Sequence, residues 1–386
     1  MKKKYIILSI ITLVLLITFV TSFNYFKTTN TYVENNSNNQ TKITKGISMN
    51  LEQTAGAGDY KQVTQSSWPT EGYKFNAELS KCENGGEISW DDTKKAVIVS
   101  GNLSDKCYVY FDIYQLTLAE YIKSQYTGTQ GENSLYYHNS SLTNGAGDNS
   151  YRYAGASNSV NNYICLGSDE AICPDANLFR IIGVFGAQAK VIRAKSVGNK
   201  QWHSSSTPNT WSSSSLNTYL NGEYLTSLGT LADKIAITTW KVGGGTYENI
   251  GTSVPKTAYQ NEVGSSASST TYGAKIGLMY VSDYYYSASP SAWTLVGYNS
   301  SDATKDYRAA KTINWLSLGS YEWTISRNSE FTNGAFLVAG AGVSGAGYVS
   351  YSNVLSSNGV RPSFNLESSV KYVSGSGSMS DPVRVN

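Results

Sequence analysis

The chain reads as a β-rich α+β protein in three parts: an N-terminal transmembrane helix, a small antiparallel β module and a larger mixed domain. Three observations predict this. An uncharged apolar run follows three lysines at the start, and short alternating segments broken by Gly, Asn and Asp fill much of the rest. The composition, with 30 Tyr and 35 Gly against 7 Pro and 2 His, suits many short strands joined by small polar loops. Charged residues are 15% of the 386, with 30 basic against 28 acidic. That balance offers no basic face to neutralise phosphates, so nucleic acid is excluded as a partner.

Residues 1–4, Met-Lys-Lys-Lys, read as a cytoplasmic tail, and residues 5–23 as a transmembrane signal-anchor. Nineteen residues at 1.5 Å each span about 28 Å, close to a bilayer's hydrocarbon core. The lysines favour keeping the N-terminus inside, which puts everything after Phe23 outside. A cleavable signal peptide is the competing reading, but its apolar core is shorter and Val20-Thr21-Ser22 is a poor cleavage site. Residues 24–45, rich in Asn, Thr and Lys, read as a flexible stalk with a reach of about 25 Å. The expected location is the cell membrane, single-pass with an extracellular C-terminal region. The membrane is itself a partner through the N-terminal helix.

The four cysteines fit an oxidising exterior. Cys82 and Cys107 lie in one strand-rich segment, and Cys165 and Cys173 bracket a short polar loop, so two local disulfides are expected. Chain entropy assigns about 3.5 kcal/mol to the longer loop and about 2.6 kcal/mol to the shorter. A zinc site is the rival, but no cysteine pair has C-x-x-C spacing and both histidines lie far away in sequence. No metal and no cofactor is therefore assigned.

Residues 46–115 form the small β domain. Ile47-Ser48-Met49-Asn50-Leu51 alternates apolar and polar, and similar segments follow at 73–79, 87–90, 96–99 and 108–113. In the last, Val109, Phe111 and Ile113 share one face while Tyr108, Tyr110 and Asp112 share the other. Residues 116–386 form the larger domain, opened by a short helix at 117–123. Residues 178–185 and 189–193 flank Gly186 as a hairpin. Leu216, Tyr219, Leu220 and Tyr224 are spaced for an amphipathic helix, with a preceding serine available as N-cap. Residues 276–281 read as a buried strand.

The order of these signals resembles a widespread group of Gram-positive bacterial surface domains: a hairpin, Trp211 with Ser214, a Leu-Asn helix at 216–221, a strand at 277–282, and Gly359-Val360-Arg361-Pro362. Gly319-Ser320-Tyr321-Glu322-Trp323 and Gly359-Val360-Arg361 also resemble motifs of the sulfatase-modifying-factor branch of the C-type lectin-like fold. The likeness spans roughly 175–370 and implies a C-type lectin-like fold for the larger domain. Trp211, Glu322, Trp323 and Arg361 are its structural motif residues. The segments around Cys82 and Cys107 resemble a small β module that accompanies such domains.

Enzymes of that fold use two late cysteines or a histidine set. This chain has no cysteine after Cys173, and neither His138 nor His203 sits in a motif, so neither activity carries over. No catalytic residue is assigned. His203 reads as a surface histidine, and Glu322 as a structural partner of Arg361 or Arg327. Contact chemistry remains. Tyr284, Tyr285, Tyr286, Trp293 and Tyr298, with Tyr307, stand among Ser, Ala, Gly and Asn. Binding loops use this mixture of rigid aromatic area and adaptable polar neighbours. The expectation is a cell-surface binding protein recognising a glycan or protein ligand through that loop. The alternatives are a structural envelope protein without a ligand site and a cell-envelope hydrolase.

Overall fold

The computed structural model describes residues 46–64, 67–69, 72–101, 105–342 and 345–386. It divides into two compact units, one ending at Gln115 and one running from Leu116 to Asn386. The expected tail, anchor at 5–23 and stalk lie outside the described residues. Among the described residues no helix is long and apolar enough to cross a membrane. The eight residues of helix Pro255–Glu262 cover only about 12 Å, where about 30 Å is needed. The fold class is corrected accordingly: the described residues form two β-rich, disulfide-bearing units with no membrane-spanning helix among them.

The first unit contains β1 (Ile47–Glu52), β2 (Tyr60–Val63), β3 (Tyr73–Cys82), β4 (Glu87–Asp91), β5 (Ala96–Ser100) and β6 (Cys107–Ile113). Four strands form a sheet in the order β2-β1-β6-β3, and β4 and β5 make a separate hairpin. The module is not purely antiparallel as expected, because β1 and β6 run parallel with Met49 opposite Val109. Four strands lie between them in the chain, ample length for a parallel return. Alternation puts Val109 and Phe111 at 0% exposure, packed with Met49, Leu51 and Val97. Phe75 and Trp90 close over Phe111. The Cys82–Cys107 disulfide forms, joining β3 to β6 where the two residues face each other.

In the second unit the expected hairpin is the centre of a nine-stranded sheet. Leu178–Phe185 pairs with Gln188–Arg193, and Gly186 turns at φ +65°. All but the last residue of the first strand is buried, as a strand covered on both faces requires. The C-terminal strand Val383–Val385 lies parallel to Tyr163–Cys165, and the expected Cys165–Cys173 disulfide closes its loop beside them. A five-stranded sheet carries Glu322–Arg327, Gly334–Val338 and Val349–Asn353, flanked by Ser357–Gly359 and Asn199–Gln201. Ser214 caps helix Ser215–Tyr219 by accepting the Asn217 N–H, and Leu216, Leu220 and Tyr224 point into the core. The buried strand expected at 276–281 is only Ile276–Gly277, and from Val281 the chain turns helical.

Candidate functional site

The tyrosine run is not a surface loop. Tyr284, Tyr285 and Tyr286 lie on helix Val281–Tyr286, every residue of which is buried. A helix buried on all sides needs apolar surface all round, and consecutive rings about 100° apart supply it. Each phenol donates to a backbone carbonyl: Tyr284 to Gly347 at 2.7 Å, Tyr285 to Ile250 at 2.8 Å and Tyr286 to Asn144 at 3.2 Å. Trp293 is buried as well, its Nε1 donating to Ala288. Tyr307 is buried against Tyr285 and donates to its carbonyl. Of the five residues assigned to ligand binding, only Tyr298 is partly accessible, its ring tilted against Tyr348 at 4.8 Å.

The N-terminus of that helix explains its depth. Its free N–H groups meet two buried carboxylates: Asp283 accepts from Tyr280, and Glu262 accepts from Val281 and Ser282. Asp283 also holds the Lys190 ammonium at 2.5 Å and lies 3.8 Å from Arg152, which in turn pairs with Asp148 at 2.6 Å. Burial pushes the Lys190 pKa below the usual amine range, and Asp283 only partly restores it. Burial raises the Glu262 carboxyl, against hydrogen bonds from Ser326 and Ser282. Sequence reading missed this network. The signal available was a lysine inside the apolar strand Ala189-Lys190-Val191-Ile192, which demands a partner.

Glu322, expected to partner Arg361 or Arg327, forms a buried pair with Arg361. Arg361 Nε lies 2.7 Å from Oε1, and its Nη2 donates to Oε2 at 2.8 Å. Burial raises the Glu322 pKa, with Arg361 opposing. Among the described residues no histidine or aspartate bonds to this carboxylate. Trp323 and Trp211 are both buried. His203 is 8% exposed rather than on the surface, its Nδ1 accepting the Ser205 N–H. His138 is fully enclosed beside Tyr286 and Trp293, and burial pushes its pKa well down. Among the described residues no group of three or more His, Cys, Asp or Glu is placed to hold a metal ion.

An open groove of about 330 Å³ lies over the five-stranded sheet. Tyr321, at 41% exposure, and Tyr348 line it together with Leu337, Ser350, Ser352 and Asn358. Strand alternation places Ser350 and Ser352 on one face of Val349–Asn353, opposite Leu337 and Ala335 in register. Ser352 donates to the Ser356 hydroxyl, and the enclosed Asn358 Nδ2 has no partner. Gly340 lets this wall form, since a Cβ there would lie 2.6 Å from the Tyr321 nitrogen. The groove thus combines three tyrosines, Tyr351 being the third, with serine hydroxyls and an asparagine, and among the described residues no carboxylate, histidine or cysteine lines it.

Residues 187–368 match the model of a domain of unknown function, DUF6273. No curated protein and no solved structure matches the chain. The groove lies wholly within the DUF6273 segment, as do Lys190, Glu262, Asp283 and the Glu322–Arg361 pair. Arg152, Arg180 and Asp148 precede it. The match describes neither fold nor activity, so the lectin-like likeness rests on its short motifs alone.

Proposed function

We propose that the larger unit is a binding module that holds a saccharide chain in the groove between Tyr321 and Tyr348, in a compartment outside the reducing cytosol. The observation that carries this reading is the pairing of the groove's tyrosines with the serine hydroxyls of Ser350, Ser352 and Ser356. Ring faces cover the C–H surface of a sugar, while hydroxyls and amides exchange hydrogen bonds with its hydroxyls. The volume sits at the low end for ligand sites, suited to one or two sugar rings of a longer chain. Two formed disulfides and no free cysteine support the oxidising compartment.

Calorimetric titration of the full chain with a panel of neutral oligosaccharides tests the assignment. Tyr321→Ala and Tyr348→Ala are each expected to weaken binding about tenfold, the equivalent of losing roughly 1.4 kcal/mol of aromatic contact. Tyr285→Phe, a core change, leaves affinity unaltered. Absence of binding across the panel, or affinity equal to the parent's in both alanine variants, refutes the groove as the site.

A further inference from the structure

A second cleft, of about 640 Å³, lies outside the DUF6273 segment. Ser157, Asn158, Asn161 and Tyr163 form one wall, and Ser378 and Ser380 the other. The walls are tied by the Tyr163 N–H donating to the Gly377 carbonyl at 2.8 Å. Gly377 is required for that approach: its φ is +81°, and a Cβ would lie 2.6 Å from the Asn161 oxygen.

Behind the first wall sits Arg180, 3% exposed. Its Nε donates to Asn162, its Nη2 to the Val160 carbonyl, and its Nη1 to the Ser157 hydroxyl at 2.8 Å. The guanidinium lies between the rings of Tyr163 at 4.3 Å and Trp315 at 4.6 Å. Among the described residues no carboxylate pairs with it, unlike Arg152, Arg308 and Arg361. Burial, with Arg361 nearby, pushes its pKa down to about 10, against a neighbouring Tyr163, so it keeps its charge at neutral pH. Three of the residues it touches, Ser157, Val160 and Tyr163, line the cleft. Ser157 is exposed and accepts from the guanidinium, which leaves its own O–H to donate outward. The nearest acidic residue along the other wall, Asp381, is turned to the Ser376 N–H.

We infer that this cleft binds an acidic sugar, whose carboxylate lies against Ser157 and supplies the counter-charge that Arg180 lacks. A buried cation held only by neutral acceptors and ring faces is under-compensated, and an anion in the adjoining cleft gains from its field. The serine hydroxyls and asparagine amides around it match a sugar's remaining hydroxyls.

Glucuronate, glucose and N-acetylalanine, each titrated into the full chain by calorimetry, test the assignment. Glucuronate is expected to bind at least about tenfold more tightly than glucose and to weaken as salt is raised. Ser157 and Asn158 are exposed, so neither supports the core. Ser157→Ala and Asn158→Asp are each expected to weaken glucuronate about fivefold or more, the second by placing a like charge at the site. Tyr321→Ala leaves glucuronate binding unchanged, which separates this cleft from the groove on the sheet. The inference is overturned if glucuronate binds no better than glucose, if Asn158→Asp binds it as the parent does, or if N-acetylalanine binds and glucuronate does not.

Discussion

Replacing Asp283 by Asn removes one negative charge from a site that holds two cations, all three side chains being within 5% of full burial. At 2.5 Å from Lys190 and an effective dielectric near 20, the lost attraction is about 7 kcal/mol. Asn is cheaper to bury than a carboxylate, which returns part of that, and broken buried pairs typically cost about 3–5 kcal/mol net. Lys190 sets a ceiling. Without its partner it surrenders its proton, which at pH 7 costs about 4.6 kcal/mol relative to a normal lysine. The expected penalty is therefore about 4 kcal/mol at pH 7. The variant's Lys190 pKa lies far below its unfolded value, so the unfolded chain binds more protons and stability rises with pH. By pH 9 the ceiling falls to about 2 kcal/mol. Urea unfolding followed by tryptophan fluorescence reads this directly, since Trp240 lies 5.3 Å from the Lys190 ammonium. Adding Lys190→Met should recover most of the loss. A penalty under about 1 kcal/mol at pH 7, or one of equal size at pH 9, refutes the reasoning.

Three further outcomes are expected. Gly297→Ala would set a Cβ 1.8 Å from the Tyr285 hydroxyl and 2.2 Å from the Gly251 oxygen, so overpacking should cost about 2–3 kcal/mol, visible as a lower Tm. Asp148 is pushed up by burial, but Arg152 and Ser150 more than offset this and hold its pKa well below the usual range. Its contribution is complete above the unfolded pKa of about 4 and drains away as pH falls below it, so Asp148→Asn should cost about 2 kcal/mol at pH 7 and progressively less in acid. An acid titration by circular dichroism measures the difference. Reduction should destabilise the first unit by about 3.5 kcal/mol and the second by about 2.6 kcal/mol. Alkylation with mass analysis should find four thiols after reduction and none before; any thiol reactive beforehand contradicts the pairing.

What the sequence determined by itself are features whose physics is local. Gly186 between two apolar runs specified the central hairpin, and Ser214 before Leu216 and Leu220 specified a capped helix with a buried stripe. Two cysteine pairs, each close along the chain, specified their own bridges. Glu322 was legible as the structural partner of an arginine, Arg361 or Arg327, and only the fold selected Arg361. The tyrosines show where local reading stops. A Tyr among Ser and Gly looks the same on a surface loop as on a buried helix, because its ring favours burial and its hydroxyl donates equally well to water or to a carbonyl. Tertiary structure decided the matter: Glu262 and Asp283 satisfy the helix N-terminus, and the carbonyls of Gly347, Ile250 and Asn144 receive the phenols. The same holds for both clefts, whose walls come from strands or loops tens to hundreds of residues apart. Side chains that meet only through chain return carry no spacing signal, so their chemistry becomes visible only when the sheet has brought them together.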